Sequence, residues 1–297
     1  MIALGSTSLS KIYLGNTEVV KAYLGATQIW PIVSFNDAVR FTSDKGISSV
    51  GFSNLPSNYS AEYSLNSGAT WNTFESTTSI ALSQGQSVYV RGTLTNPSTS
   101  STVHMTITGN VSAHGNANRL IDYGNESDTT LPGNDAFYYF FGGCDGLVDA
   151  SDLTLPATTL TARCYKNMFS GCENLMYGPA TLPATHLTDE CYSLMFASDD
   201  SLLESPVIVD NSTHSGERHA YGMFRGCYSI GKVTCLWHHP YQTSGTEDPW
   251  TTDWLGADAG TQATNPTLYQ NPNITKEWTA NSANGYPSGW TLRDYQS

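Results

Sequence analysis

Between Phe141 and Cys235 the apolar positions of the chain return at a nearly constant interval. Phe141, Phe169, Phe196 and Phe224 recur at spacings of 28, 27 and 28, and three residues beyond them stand Cys144, Cys172, Asp199 and Cys227. Three residues further on comes an aliphatic side chain, at Leu147, Leu175, Leu202 and Ile230. A further set, Leu155, Leu182, Val209 and Cys235, recurs at 27, 27 and 26. Landmarks that keep step over four units predict a solenoid, because each unit buries its apolar side only by stacking on its neighbours. A stack presents a long open face, which favours binding over catalysis.

Within a unit, Leu153-Thr154-Leu155 and Val207-Ile208-Val209 read as short strands. Leu160, Cys164 and Met168 share one face at i, i+4 and i+8, so Leu160–Phe169 reads as a helix or helical turn and the coils as α/β. Pro156 and Pro183 stop the strands, while Gly171 and Gly226 close the helical segments. The third unit departs most, with Asp199 in the cysteine place and a polar run from Asp210 to Arg218.

A shorter repeat opens the chain. Leu4-Gly5-Ser6-Thr7, Leu14-Gly15-Asn16-Thr17 and Leu24-Gly25-Ala26-Thr27 recur every ten residues, with glycine at the corners of three predicted strands. A unit this small buries little alone, so Ile12, Tyr13, Tyr23 and Trp30 are expected to attach it to other subunits or to its own copies. Residues 32–119 alternate apolar and polar positions in runs such as Ser87–Arg91 and Thr102–Ile107, the pattern of a β-sandwich-like domain. Ser64-Leu65-Asn66-Ser67-Gly68-Ala69-Thr70-Trp71 resembles the Asp-box turn of sialidase propellers, with Asn66 in the aspartate place; the role it implies is structural.

Composition narrows the field of partners. The chain is 39% hydrophobic but only 13% charged, with a net charge of −13 and no Lys/Arg cluster, which argues against nucleic acid and anionic membranes. Neither a signal peptide at Met1–Lys11 nor an apolar run of about 18 residues is expected. The six cysteines follow the repeat register rather than a pairing pattern, so they are expected to be free, buried thiols, suited to a reducing compartment.

Candidate chemistry is sparse. Cys235-Leu236-Trp237-His238-His239 combines a thiol with imidazoles, but the strand register turns Cys235 into the core. Asp145, Asp149 and Asp152, like Asp199 and Asp200, lack the spacing of a calcium loop, and no pair is marked as the facing carboxylates of a glycosidase. No catalytic residue, metal or cofactor is predicted. The aromatic tail, residues 237–297, reads as the cap of the solenoid. Its residues Trp237, Tyr241, Trp250 and Trp254 also form a candidate sugar-stacking surface.

The units Leu155-Pro156-Ala157-Thr158-Thr159-Leu160 through Phe169-Ser170-Gly171-Cys172 and Leu182-Pro183-Ala184-Thr185-His186-Leu187 through Phe196 resemble the BspA-type leucine-rich repeat, a family of bacterial surface adhesins and gut-phage proteins. Tyr286-Pro287-Ser288-Gly289-Trp290-Thr291-Leu292 is similar to the end of such chains. The starts Lys11-Ile12-Tyr13-Leu14-Gly15 and Lys21-Ala22-Tyr23-Leu24-Gly25 resemble fibre and tail-associated proteins of Bacteroidales phages, crAss-like ones included.

The resemblance implies a mainly β, multidomain virion protein: an attachment unit (1–31), a β-sandwich-like domain (32–119), leucine-rich repeats (120–236) and an aromatic cap (237–297). It would be made in the host cytoplasm and exposed on the particle. Implied partners are other virion proteins, a host surface glycan or protein, and copies of itself, three-fold in the simplest fibre. A bacterial surface adhesin is the alternative, and a glycan depolymerase a third reading.

Overall fold

The computed structural model describes residues 38–98, 102–124, 129–209, 213–238, 250–274, 278–280 and 284–296, together with the strand backbones at 13–14, 17–18, 22–24 and 27–30. The chain divides into two units, Met1–Phe35 and Asn36–Ser297. In the first, Tyr13–Leu14 pairs antiparallel with Thr17–Glu18, and Ala22–Leu24 with Thr27–Trp30. Two of the three ten-residue copies thus contribute an antiparallel strand pair each, so four short strands are described where three were expected.

The second unit is mainly β. Among its described residues the only helix is a 3-10 turn, Ala117–Leu120. Its first part packs a three-stranded sheet (His104–Thr108, Ile47–Asn54, Ser79–Ser83) against a six-stranded one (Leu147–Thr154, Val111–Asn116, Val39–Ser43, Ser87–Leu94, Tyr59–Ser64, Asn72–Thr73). Strict alternation builds the layers: Val88, Val90, Gly92 and Leu94 face inward from one strand while their neighbours face out. Phe52 of the smaller sheet meets Tyr59 of the larger at 5.7 Å between ring centres.

The larger sheet crosses the expected boundary at 119/120. Val111–Asn116 pairs in parallel with Leu147–Thr154 of the first coil, and Phe41 packs edge-on against Phe141. The sequence segments 32–119, 120–236 and 237–297 therefore share one core from residue 38 onwards.

From residue 135 onwards successive repeats lie side by side. The rings of Phe141, Phe169, Phe196 and Phe224 form one buried column, 5.4, 5.3 and 5.6 Å apart and within 9° of parallel. On the sheet side, Thr181–Leu182, Glu204–Ile208, Lys232–Cys235, Thr267–Gln270 and Thr291–Asp294 form a parallel sheet. Its last two strands come from the aromatic tail, which extends the sheet as well as covering its end.

The expected helices are absent from the described coils. Each is instead a run of tight turns with a left-handed residue every fourth position: Asp135, Tyr139 and Gly143, then Arg163, Asn167 and Gly171, then Glu190, Leu194 and Ser198. Backbone N–H groups alternate between two destinations. Those of Cys164, Lys166, Met168 and Ser170 reach back three residues within their own coil. Those of Arg163, Tyr165, Asn167, Phe169 and Gly171 donate to the next coil, at Asp189, Cys191, Ser193, Met195 and Ala197. An α-helix would satisfy every interior N–H internally and leave the neighbouring coil without donors. Leu160, Cys164 and Met168 are buried together, as their spacing of four requires of either structure.

One register also differs. Ile208, rather than Val209, stands beside Leu182 and Cys235, because the third coil reaches its strand one residue early and the pairing shifts between Glu204 and Val207.

Candidate binding surface

Three of the four residues expected to form a sugar platform lie in the core. Trp237, Trp250 and Trp254 are 1%, 3% and 1% exposed, so none offers a ring face to a ligand. Trp254 packs edge-on against Phe224 and stacks on Trp278 at 4.6 Å, and its Nε1 donates to the carbonyl of Gly285. Trp250 stacks on the buried His219 at 5.3 Å. The indoles therefore continue the ring columns and cover their open end. Tyr241 and Ile12 lie outside the described residues. Tyr13, Tyr23 and Trp30 are placed in hairpin strands, with their side chains outside the described residues.

The thiols form two buried columns. Cys144, Cys172 and Cys227 occupy one, each Sγ donating to a carbonyl of the preceding layer, at Met105, Phe141 and Phe196 (3.2, 3.1 and 3.0 Å). Cys164 and Cys191 occupy the other, and all six cysteines are free and buried. Burial pushes the Cys144 and Cys191 thiols up to about 12, far from the thiolate a nucleophile needs. Cys235 is buried in its strand; His238 sets Nδ1 3.3 Å from Asn271 Nδ2, and His239 lies outside the described residues. No group of three or more His, Cys, Asp or Glu is placed to hold a metal among the described residues. Nor, among them, is any helix long and apolar enough to cross a membrane.

The acidic positions serve local structure. Asp149 Oδ1 accepts the N–H of Ser151 at 2.8 Å, Asp152 meets His114 at 3.1 Å, and Asp199 is fully buried. Asp145 lines a shallow cleft of about 340 Å³ with Thr108, Gly143 and Asn174. In the Asp-box-like turn, Asn66 Oδ1 accepts the N–H of Thr70 and Ser64 Oγ accepts that of Gly68. Trp71 there lies against Arg91, whose guanidinium sits 3.9 Å from the indole centre and 4.5 Å from that of Tyr123, with Glu62 at 2.7 Å.

What the coils do expose is an apolar line that the sequence reading missed. Met176 and Leu203 are 41% and 40% exposed, each one residue beyond the buried Leu175 and Leu202, and Val148 is half-buried at the same place in the first coil. Tyr177 is 37% exposed beside Met176 and bridges between Asp149 and Glu204. The recurring pairs Leu147-Val148, Leu175-Met176 and Leu202-Leu203 carried the signal: a strand entering the core turns the second of two adjacent apolar residues outward.

Both lysines of the coils are tied into ion pairs between layers. Lys166 meets Glu190 at 2.8 Å and Lys232 meets Glu204 at 2.9 Å. Comparison of the chain with protein families, curated proteins and solved structures finds no match.

Proposed function

We propose that the chain is a non-enzymatic structural protein of a bacteriophage particle, of the fibre-, tail- or collar-associated kind. Its repeats form a leucine-rich-repeat solenoid of the BspA type that faces the host as an adhesin-like surface. The observation that carries this reading is the unbroken column Phe141–Phe169–Phe196–Phe224. Stacking at one-repeat spacing supports an architecture whose lateral face lengthens with each coil, the geometry of an extended binding surface. Met176, Tyr177 and Leu203 are the contact residues on that face, and a neutral host glycan or protein is its partner. The hairpins of Met1–Phe35 attach to other virion proteins or to copies of the chain, in the simplest case as a trimer.

Antibody labelling of particles tests the location. Deleting residues 1–31 should abolish incorporation, while Tyr177→Ser with Leu203→Ser should leave incorporation intact and reduce binding of particles to host cells. Normal copy number after the deletion refutes the attachment role, and normal host binding by the double variant refutes the face. Labelling of the bacterial envelope instead would favour a surface adhesin. New reducing ends released from host capsule would favour a depolymerase.

A further inference from the structure

The column Cys144–Cys172–Asp199–Cys227 contains one group that titrates differently from its neighbours. Asp199 is fully buried, and its Oδ1 accepts the N–H of Cys172 at 2.8 Å. Its Oδ2 is also buried and accepts no bond. On the rungs either side, Cys172 and Cys227 donate their thiol protons to Phe141 and Phe196, the ring residues one coil back. By the same step, the carbonyl that falls to Asp199 is that of Phe169. A carboxylate has no proton to give that carbonyl, whereas a carboxylic acid does.

We propose that Asp199 is held as the neutral acid in the folded stack, standing in for the missing thiol with Oδ2–H directed to Phe169, and that its ionisation makes the third coil a pH-sensitive joint. The surroundings agree. The groups facing it are the thiols of Cys172 and Cys227 and the carboxylates of Asp200 and Asp145, none of which is a cation. Burial holds the carboxyl well above the usual carboxylate range. The N–H groups of Cys172 and Gly171 offset part of that effect, and the two other carboxylates add to it.

The sign follows. A folded pKa above the unfolded value of about 3.9 means that the folded chain binds the extra proton. The contribution to stability is complete below about pH 4 and is lost as pH rises to the folded value. Within that window the folding constant falls about tenfold per pH unit. Above it, the ionised carboxylate strains the contact between the second, third and fourth coils.

Carboxyl-carbon NMR of the full chain, labelled at aspartate, reads the protonation state directly and needs no variant. One aspartate should remain protonated after the others have ionised, and its signal should be missing from Asp199→Asn. Denaturation between about pH 4 and pH 8 should show wild type losing stability relative to Asp199→Cys, which restores the thiol column. The protection factors for hydrogen exchange at residues 190–199, after allowance for the intrinsic pH dependence of amide exchange, should fall over the same range in wild type and not in Asp199→Cys. An Asp199 carboxyl that ionises together with the other aspartates in the folded chain, or the same pH dependence in wild type and Asp199→Cys, overturns the proposal.

Discussion

Arg163 closes on Asp135, the equivalent residue of the preceding coil, with two parallel bonds: Nε to Oδ1 at 2.7 Å and Nη2 to Oδ2 at 2.9 Å. The same position carries Glu190 and Arg218 in the next two coils, so charge alternates along the stack. Skipping a coil would set like charges together, which disfavours mispaired repeats. The Asp135 side chain is 3% exposed and that of Arg163 34%. Removing the arginine therefore leaves a buried carboxylate without its partner, whereas removing the acid leaves a cation that water can reach. Arg163→Met is expected to cost about 2–3 kcal/mol and Asp135→Asn about 1 kcal/mol, measured by urea denaturation. Equal costs would show that the asymmetry of burial does not govern the pair.

Phe196 has a stacked ring on both sides, Phe169 at 5.3 Å and Phe224 at 5.6 Å. Phe196→Ala should destabilise by about 3–5 kcal/mol. Ile47→Ala, at a residue 81% exposed, should change stability by less than about 0.5 kcal/mol. A small effect at Phe196 in a denaturant titration would contradict the column.

Gly146 lies where the sandwich meets the first coil. It donates its N–H to Ile107 and accepts that of Val111, and an added Cβ would stand 2.6 Å from the Ile107 carbonyl oxygen. Gly146→Ala should cost about 1–3 kcal/mol by forcing the two parts of the core apart. Gly124→Ala, which meets nothing within 4 Å, serves as the neutral control for thermal unfolding.

The thiols should be silent in the native protein. All six are buried, and burial raises the pKa values that are shifted, to about 12 at Cys144 and Cys191. Native protein at about pH 8 should react with a thiol reagent at least about a hundredfold more slowly than unfolded protein. Unfolding without reductant should release six reactive groups; fewer would mean that disulfides had formed.

Much of the repeat block was legible because identical spacing compels equivalent side chains to meet once coils stack. The phenylalanine column and the cysteine columns follow from the repeat interval alone, with no knowledge of the backbone between them. The exposed apolar line and the fate of the tail indoles were not legible in the same way. Trp250 and Trp254 sit among polar residues in sequence and still end buried, since the last open coil needs large rings to exclude water from Phe224. Met176 and Leu203 look like core residues in sequence and end exposed.

The sequence by itself determined the repeat period, the residues sharing each column, the free state of the cysteines and the alternation of the sandwich strands. All of these follow from covalent spacing and from the burial of apolar groups. Only the tertiary structure decided that the spacing of four at Leu160, Cys164 and Met168 is a run of turns instead of a helix. Both conformations bring such residues to one side, and the choice rests on where Arg163, Tyr165 and Asn167 send their N–H groups. Their acceptors, Asp189, Cys191 and Ser193, lie a whole coil further along the chain, beyond the reach of any local pattern. The joining of Val111–Asn116 to Leu147–Thr154 in one sheet was likewise a tertiary outcome, because parallel pairing of strands so far apart in the chain leaves no mark on either strand alone.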